Sequence, residues 1–380
     1  MRQSDGLDHG AEWIVPVELP GRRYDIVIGH GAPTGLTLRG LLHGRRAAVV
    51  IDQAVARLQP GRCAQIIDQC ATADTILLPP GERTKSLIWA GKVYSRFLKH
   101  DMDRSSLVIA LGGGVVGDLA GFAAATFMRG IDYCQVPTTL LAMVDASVGG
   151  KVAVNIREGK NLVGCFHQPR AVLIDPGFLA TLPPRHIRSG LGEVFKTALL
   201  AGEEVLAEVE RISPRTVRHS PDQWCRLIAL CCEYKAGIVM EDETELGRRR
   251  LLNLGHTIGH GLELLHGYRR LSHGEAVAIG LLGACLLADA RGLLAEKVLW
   301  RLESLLRRWR MLPRRELVPS CDALLPALRH DKKKLHGTLH WVLPHGLGDA
   351  RIHLDVNERE LRSMLARMAQ WCDNRPGGSA

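Results

Sequence analysis

Apolar and polar positions divide the chain into two unlike halves. Up to about residue 178, short apolar runs recur, each closed by Gly, Pro or Asp, which is the pattern of buried strands separated by turns and helices. Glu12–Leu19 and Tyr24–Ile28 flank Pro20-Gly21 and predict a hairpin. Ala47–Ile51, closed by Asp52, predicts a buried strand, and Thr75–Leu78 another, with Pro79–Lys85 turning into a helix over Ser86–His100. Ser106–Leu111, Tyr133–Val136 and Val172–Asp175 complete the strand set, and an alanine-rich helix runs to about Phe127. Beyond Pro176 helical periods take over, with no strand until Leu339–Val342. The expected architecture is an α/β domain over 13–178, then a mainly α-helical domain over 179–372, with loose ends at 1–12 and 373–380. The 380 residues suit two cores better than one.

Three strand ends carry chemistry. A carboxylate such as Asp52 at a strand's carboxyl end is where an open α/β sheet meets a nucleotide ribose. After Leu111 the run Gly112-Gly113-Gly114-Val115-Val116-Gly117-Asp118 contains G-x-G-x-x-G between strand and helix, so backbone N–H groups can approach a pyrophosphate. The match is short and a merely tight turn is the alternative, but the strand before it and the helix after it favour nucleotide binding. From Asp145 through Gly149-Gly150-Lys151 and Asn155 to Gly159-Lys160-Asn161, a glycine-rich stretch is expected to be a loop able to wrap a phosphate.

The densest chemistry lies in Leu251–Glu263, where a helix over most of the segment is expected. His256 and His260, at i and i+4, then share a face. Two imidazoles on one face suit zinc, which takes three or four N, O or S ligands. Thr257 stands where H-E-x-x-H zinc proteases carry their glutamate base, which excludes that chemistry. His273, heading an apolar run, and Glu193, after Gly192, are available as further ligands.

Composition narrows the classes. At 46% hydrophobic and 23% charged the chain is an ordinary globular one. Its apolar runs stop short of the ~18–20 residues of a bilayer span, and Ala276–Ala288 reads as a buried helix. The N-terminus lacks a signal-peptide apolar stretch, and the ten cysteines are scattered. Reduced cysteines in a cytoplasmic protein are expected, with no membrane partner. A net charge of +9 suits anionic partners. With only 5% aromatics and short basic runs, each run reads first as solvated surface, and an anionic small molecule is favoured over nucleic acid.

Taken in order, Gly112–Asp118, Pro137-Thr138-Thr139, Asp145–Lys151, Gly159-Lys160-Asn161, Gly192–Lys196, Leu252–His260 and His273-Gly-Glu275 closely resemble the 3-dehydroquinate synthase family of sugar-phosphate cyclases. The likeness covers roughly residues 15–365. It implies a Rossmann-like NAD-binding domain followed by a helical metal-binding domain, a homodimer, and a site in the cleft. The implied cofactors are NAD and Zn2+ or Co2+. The implied reaction converts 3-deoxy-D-arabino-heptulosonate 7-phosphate (DAHP) to 3-dehydroquinate and phosphate, the second step of the shikimate pathway. It runs through transient oxidation by NAD, phosphate elimination, re-reduction and aldol closure.

By the same resemblance the metal ligands are Glu193, His256 and His273. Lys151, Asn161, Asn253 and His260 match phosphate-binding positions, and Arg129 one that reaches a neighbouring subunit's phosphate. Lys196, Lys235 and Arg249 match residues around the substrate carboxylate, Asp145 one that meets its hydroxyls, and Lys332 or Lys333 a further substrate lysine. The NAD positions are Asp52, Glu82, Lys85, Gly113, Gly114, Val115, Asp118, Thr138 and Thr139, then Lys151, Lys160, Phe178, Thr181 and Leu182. Ala54, His186 and Ile156-Arg157-Glu158 depart from the family pattern, the first two on the cofactor side. Alternatives are a cyclase for an aminated acid, sedoheptulose 7-phosphate or glucose 6-phosphate, a metal-dependent polyol dehydrogenase, and a non-catalytic nucleic-acid binder. The Lys196, Lys235 and Arg249 set favours a substrate bearing a carboxylate.

Overall fold

The computed structural model describes residues 12–70, 73–267, 270–332 and 339–373. The two expected loose ends fall almost wholly outside them. Seven segments build the main sheet: β1 Trp13–Leu19, β2 Arg22–Ile28, β3 Ala47–Asp52, β4 Ala73–Leu78, β5 Leu107–Gly112, β6 Asp132–Pro137 and, after a separate pair of β7 Lys151–Ile156 and β8 Gly159–Phe166, β9 Ala171–Ile174. Their order is β1-β2-β9-β6-β5-β3-β4. β1 runs antiparallel to β2, and the other neighbours are parallel. Parallel strands are covered on both faces, hence the unbroken apolar run of β5, all of it buried. From β3 the chain passes outward to β4 and then returns to β5 on β3's other side. Strand order thus reverses between the carboxyl ends of β3 and β5, where an open α/β sheet offers a binding crevice.

Within the expected phosphate loop the chain is more ordered than its glycines suggest. A π-helical turn spans Ala142–Ala146, and β7 pairs antiparallel with β8. Val152 and Val154 alternate inward and join the apolar core with helix Gly114–Thr126. Glycine-rich composition had masked that two-residue period.

The chain divides into two compact units, residues 1–182 with 217–244, and residues 183–216 with 245–380. The expected second domain, 179–372, is therefore corrected in its middle. Helix Pro221–Glu241 buries Trp224, Leu227, Ile228, Cys231 and Cys232 in the first unit, where it packs on β1. A helical period shows that a face is apolar but not which core it joins.

The second unit is built on helices Pro184–Ala201, His256–Leu265, His273–Ala290, Glu296–Arg308, Cys321–Lys332 and Glu358–Asp373, with the strand pair β10 Trp341–Pro344 and β11 Ala350–His353. His273–Ala290 is long and apolar enough by composition to cross a bilayer, which exceeds the sequence expectation. It is 78% buried inside the protein and serves as the unit's core helix.

Candidate functional site

In the second unit three helices meet through glycine. A Cβ on Gly192 would lie 2.0 Å from Gly274 O, one on Gly274 1.7 Å from Ser189 O, and one on Gly280 1.9 Å from Gly255 O. Only hydrogen at these Cα atoms lets helices Pro184–Ala201, His256–Leu265 and His273–Ala290 approach so closely. Glu193 follows the first contact and His273 precedes it. Gly255, at φ +79°, turns the chain into His256. The expected helix over Leu251–Glu263 is accordingly broken: Arg248–Asn253 is a 3-10 turn, and the α-helix starts at His256. His256 and His260 retain their i, i+4 relation, ring centroids 5.4 Å apart. His273 opens its helix in a capping box, Ser272 N–H donating to Glu275 Oε2 at 3.1 Å while Arg188 Nε donates to Oε1 at 2.8 Å.

Glu193, His256 and His273 thereby present ligand atoms all within 4.8 Å of one another. His256 Nε2 and His273 Nε2 each lie 3.4 Å from Glu193 Oε1. Lys196, one turn along, forms an ion pair with Oε2, yet neither buried Glu193 oxygen has a hydrogen bond of sound geometry. Lys196 balances the charge at Oε2, but Oε1, which faces both imidazoles, is buried without a hydrogen bond, and an oxygen left so costs free energy unless a cation takes it up. Burial pushes the Glu193 carboxyl up, but Lys196 and the imidazoles outweigh it and hold the group well below the usual carboxylate range. Burial lowers His256 despite Glu193 beside it. At His273 burial is outweighed by Glu193 and Glu263, which raise its pKa to about 10. Two imidazoles and an ionised carboxylate suit a divalent cation with one position left open.

Glu263 is the residue that sequence reasoning missed. Its Oε2 lies 3.3 Å from His273 Nδ1, and with His260 and His273 it forms a second convergent set. The signal available was its place three residues after His260. Arg249 and Lys196 are buried cations of this unit, and Asn253 Nδ2 donates to Glu245 Oε1 at 3.2 Å. Lys332 ends helix Cys321–Lys332, but its side chain and Lys333 lie outside the described residues.

In the first unit, Asp52 closes β3 and accepts from Ala54 N–H at 2.7 Å, capping the helix that follows. Ala54 thus contributes its backbone where its side chain departs from the family. Gly113 and Gly114 begin helix Gly114–Thr126 at the end of β5, followed by Val115. A Cβ on Gly112 would meet Val116 at 2.6 Å and one on Gly117 would meet Gln135 at 2.7 Å, so these glycines set how tightly helix packs on sheet. Thr138 Oγ1, after β6, is buried without a hydrogen-bond partner, and Thr139 Oγ1 accepts from Ala142 N–H at 3.3 Å. An orphaned hydroxyl beside a glycine-lined helix start fits a dinucleotide phosphate.

Lys85 joins Asp118 and Asn161, while Glu82 accepts from Asn155 Nδ2 at 2.7 Å and Asn155 from Asn161 N–H at 3.0 Å. One network therefore links positions that the resemblance divided between cofactor and phosphate. Burial raises the Asp118 carboxyl, partly offset by the Lys85 ammonium. Lys235 Nζ donates to Asp145 O at 2.6 Å and to its Oδ1 at 2.8 Å. Phe178 lies under the Arg62 guanidinium at 5.8 Å, Thr181 accepts from Gln59 Nε2 at 2.9 Å, and Leu182 ends the unit's first segment. Arg129, Lys151 and Lys160 are exposed, as is His186 in the other unit.

Residues 75–189 match the family model for the 3-dehydroquinate synthase N-terminal domain, and residues 190–334 that for the C-terminal domain. A 3-dehydroquinate synthase of Gloeobacter violaceus is 42% identical over 354 residues, 92% of this chain and 98% of that one. The chain belongs to the 3-dehydroquinate synthase family. A Cereibacter sphaeroides 3-dehydroquinate synthase is 44% identical over 359 residues, covering 92% of this chain and 97% of its own. Among solved structures, 2-epi-5-epi-valiolone synthase from Streptomyces hygroscopicus subsp. jinggangensis 5008, with NAD+ and Zn2+ bound, matches at 30% identity and TM-score 0.83 over 97% of this chain and 100% of that one. A 2-deoxy-scyllo-inosose synthase complexed with carbaglucose-6-phosphate, NAD+ and Co2+ matches at 26% identity and TM-score 0.81 over 93% and 99%.

Proposed function

We propose that this enzyme is a carbon–oxygen lyase that converts DAHP to 3-dehydroquinate and phosphate in the shikimate pathway. The observation that carries it is the convergence of Glu193, His256 and His273 in a unit built from close-packed helices. The 42% identity to a 3-dehydroquinate synthase across 98% of that chain supports the substrate. The first unit binds NAD through Asp52, Glu82, Lys85, Gly113, Gly114, Val115, Asp118, Thr138 and Thr139, with Lys151, Lys160, Phe178, Thr181 and Leu182 toward its other end. The second unit holds Zn2+ or Co2+ on the trio. When bound, these groups supply polarisation of a substrate hydroxyl and a reversible two-electron sink.

The protein's own task is positioning and charge. Lys196 and Arg249, both buried, are proposed to take the substrate carboxylate together with Lys235. Lys151, Asn161, Asn253 and His260 take the phosphate, with Arg129 reaching from a second copy in a homodimer. Asp145, held by Lys235, orients the hydroxyls. A cytoplasmic location is part of the same proposal.

The test is phosphate release from DAHP by protein stripped with chelator and then reloaded with Zn2+ and NAD. Activity returns only with both, and absorbance at 340 nm shows no net NADH, whereas a polyol dehydrogenase would accumulate it. His256→Ala is expected to abolish release and lower bound zinc measured by elemental analysis. Wild-type rates from that variant would exclude the assignment.

A further inference from the structure

The π-helical turn Ala142–Ala146 carries Asp145, and the hydrogen bonds that close it pass over one carbonyl, Met143 O. Ser147 N–H donates to Ala142 O at 3.1 Å, five residues back, and Val148 N–H donates to Asp145 O at 3.0 Å. Those are the two amides that an α or π ladder would aim at Met143 O. Both have other acceptors, which leaves that carbonyl open to a donor from off the turn. The donor comes from helix Pro221–Glu241: Cys232 Sγ lies 3.3 Å from Met143 O, with Cys232 fully buried. One turn further along the same face, Lys235 Nζ binds Asp145 O and Oδ1. Burial raises the Cys232 thiol well above its ordinary value, so it keeps the proton it donates. We infer that Cys232 is a positioning residue, whose thiol ties down Met143 O so that Lys235 and the π-helical turn hold Asp145 in one place.

This rests on the proposed role of Asp145 toward the substrate hydroxyls, and the test separates the two claims. In the NAD- and zinc-loaded enzyme, Cys232→Ala removes the donor, whereas Cys232→Ser keeps one while losing similar packing. Phosphate release from DAHP is expected to fall roughly tenfold in kcat/KM for the alanine variant, as small misplacement of a positioning group does. The serine variant should recover to within about threefold of wild type, on the same reasoning. Hydrogen–deuterium exchange, read without substrate, should be faster at Ser147 and Val148 in Cys232→Ala and near wild type in Cys232→Ser. Equal losses in both variants would mean packing alone and overturn the inference, as would unchanged exchange in Cys232→Ala. If wild-type protein releases no phosphate from DAHP, the proposed reaction fails, and the exchange data still decide the tether.

Discussion

At His273 one nitrogen faces Glu193 and the other faces Glu263, 3.3 Å away. An imidazole that ligates a metal needs its second nitrogen fixed, because that contact sets the tautomer and the ring's orientation. Glu263→Gln keeps the size of the side chain and removes the charge. It should weaken zinc binding roughly 10–100-fold, measured by competition with a chromogenic chelator. Unchanged affinity would show that the carboxylate does not support the ligand. The imidazoles were legible in the sequence because few other side chains suit zinc, whereas Glu193, 63 positions before His256, was singled out as an available carboxylate and by the family resemblance. Glu263 was not, since spacing places it on a helix face without naming the residue opposite. The same limit hid the contact of Lys85 with Asn161, 76 positions apart.

The helices of the second unit depend on missing side chains. Gly274→Ala would set a methyl group 1.7 Å from Ser189 O, which is backbone and cannot rotate away. Separating the two helices is expected to cost about 1–3 kcal/mol or more and to pull Glu193 from His273, so both melting temperature and zinc content should fall. Gly237→Ala is the control, because nothing lies within 4 Å of its added Cβ in helix Pro221–Glu241. There the alanine should stabilise by about 0.4–1 kcal/mol, read by the same thermal melt. A destabilised Gly237→Ala variant, or an unaffected Gly274→Ala variant, would contradict this account. Strands β1–β6 and β9 were legible from short apolar runs and their punctuation, while β7 and β8 were concealed by glycines. The helix expected from Leu251 starts instead at His256, since Gly255 adopts positive φ there.

Over the whole molecule, strand periods give way to helical ones near residue 178, and the first unit's opening segment ends at Leu182. The return of 217–244 to that unit depends on which core accepts Trp224 and Cys232, information that no local pattern carries. The division has a thermodynamic consequence on the proposed reading, because NAD and metal are held by residues of different units. A ligand stabilises the state that binds it by about 2.7 kcal/mol at a hundred times its dissociation constant. Adding Zn2+ to chelated protein should slow hydrogen exchange in helices Pro184–Ala201, His256–Leu265 and His273–Ala290. Adding NAD should instead slow it at the carboxyl ends of β3 and β5 and in the first turn of helix Gly114–Thr126. Each ligand should also raise the melting temperature when added alone. Protection by zinc appearing first at Asp52 and Gly113, with none near Glu193, would show that the metal binds elsewhere and that the trio has another use.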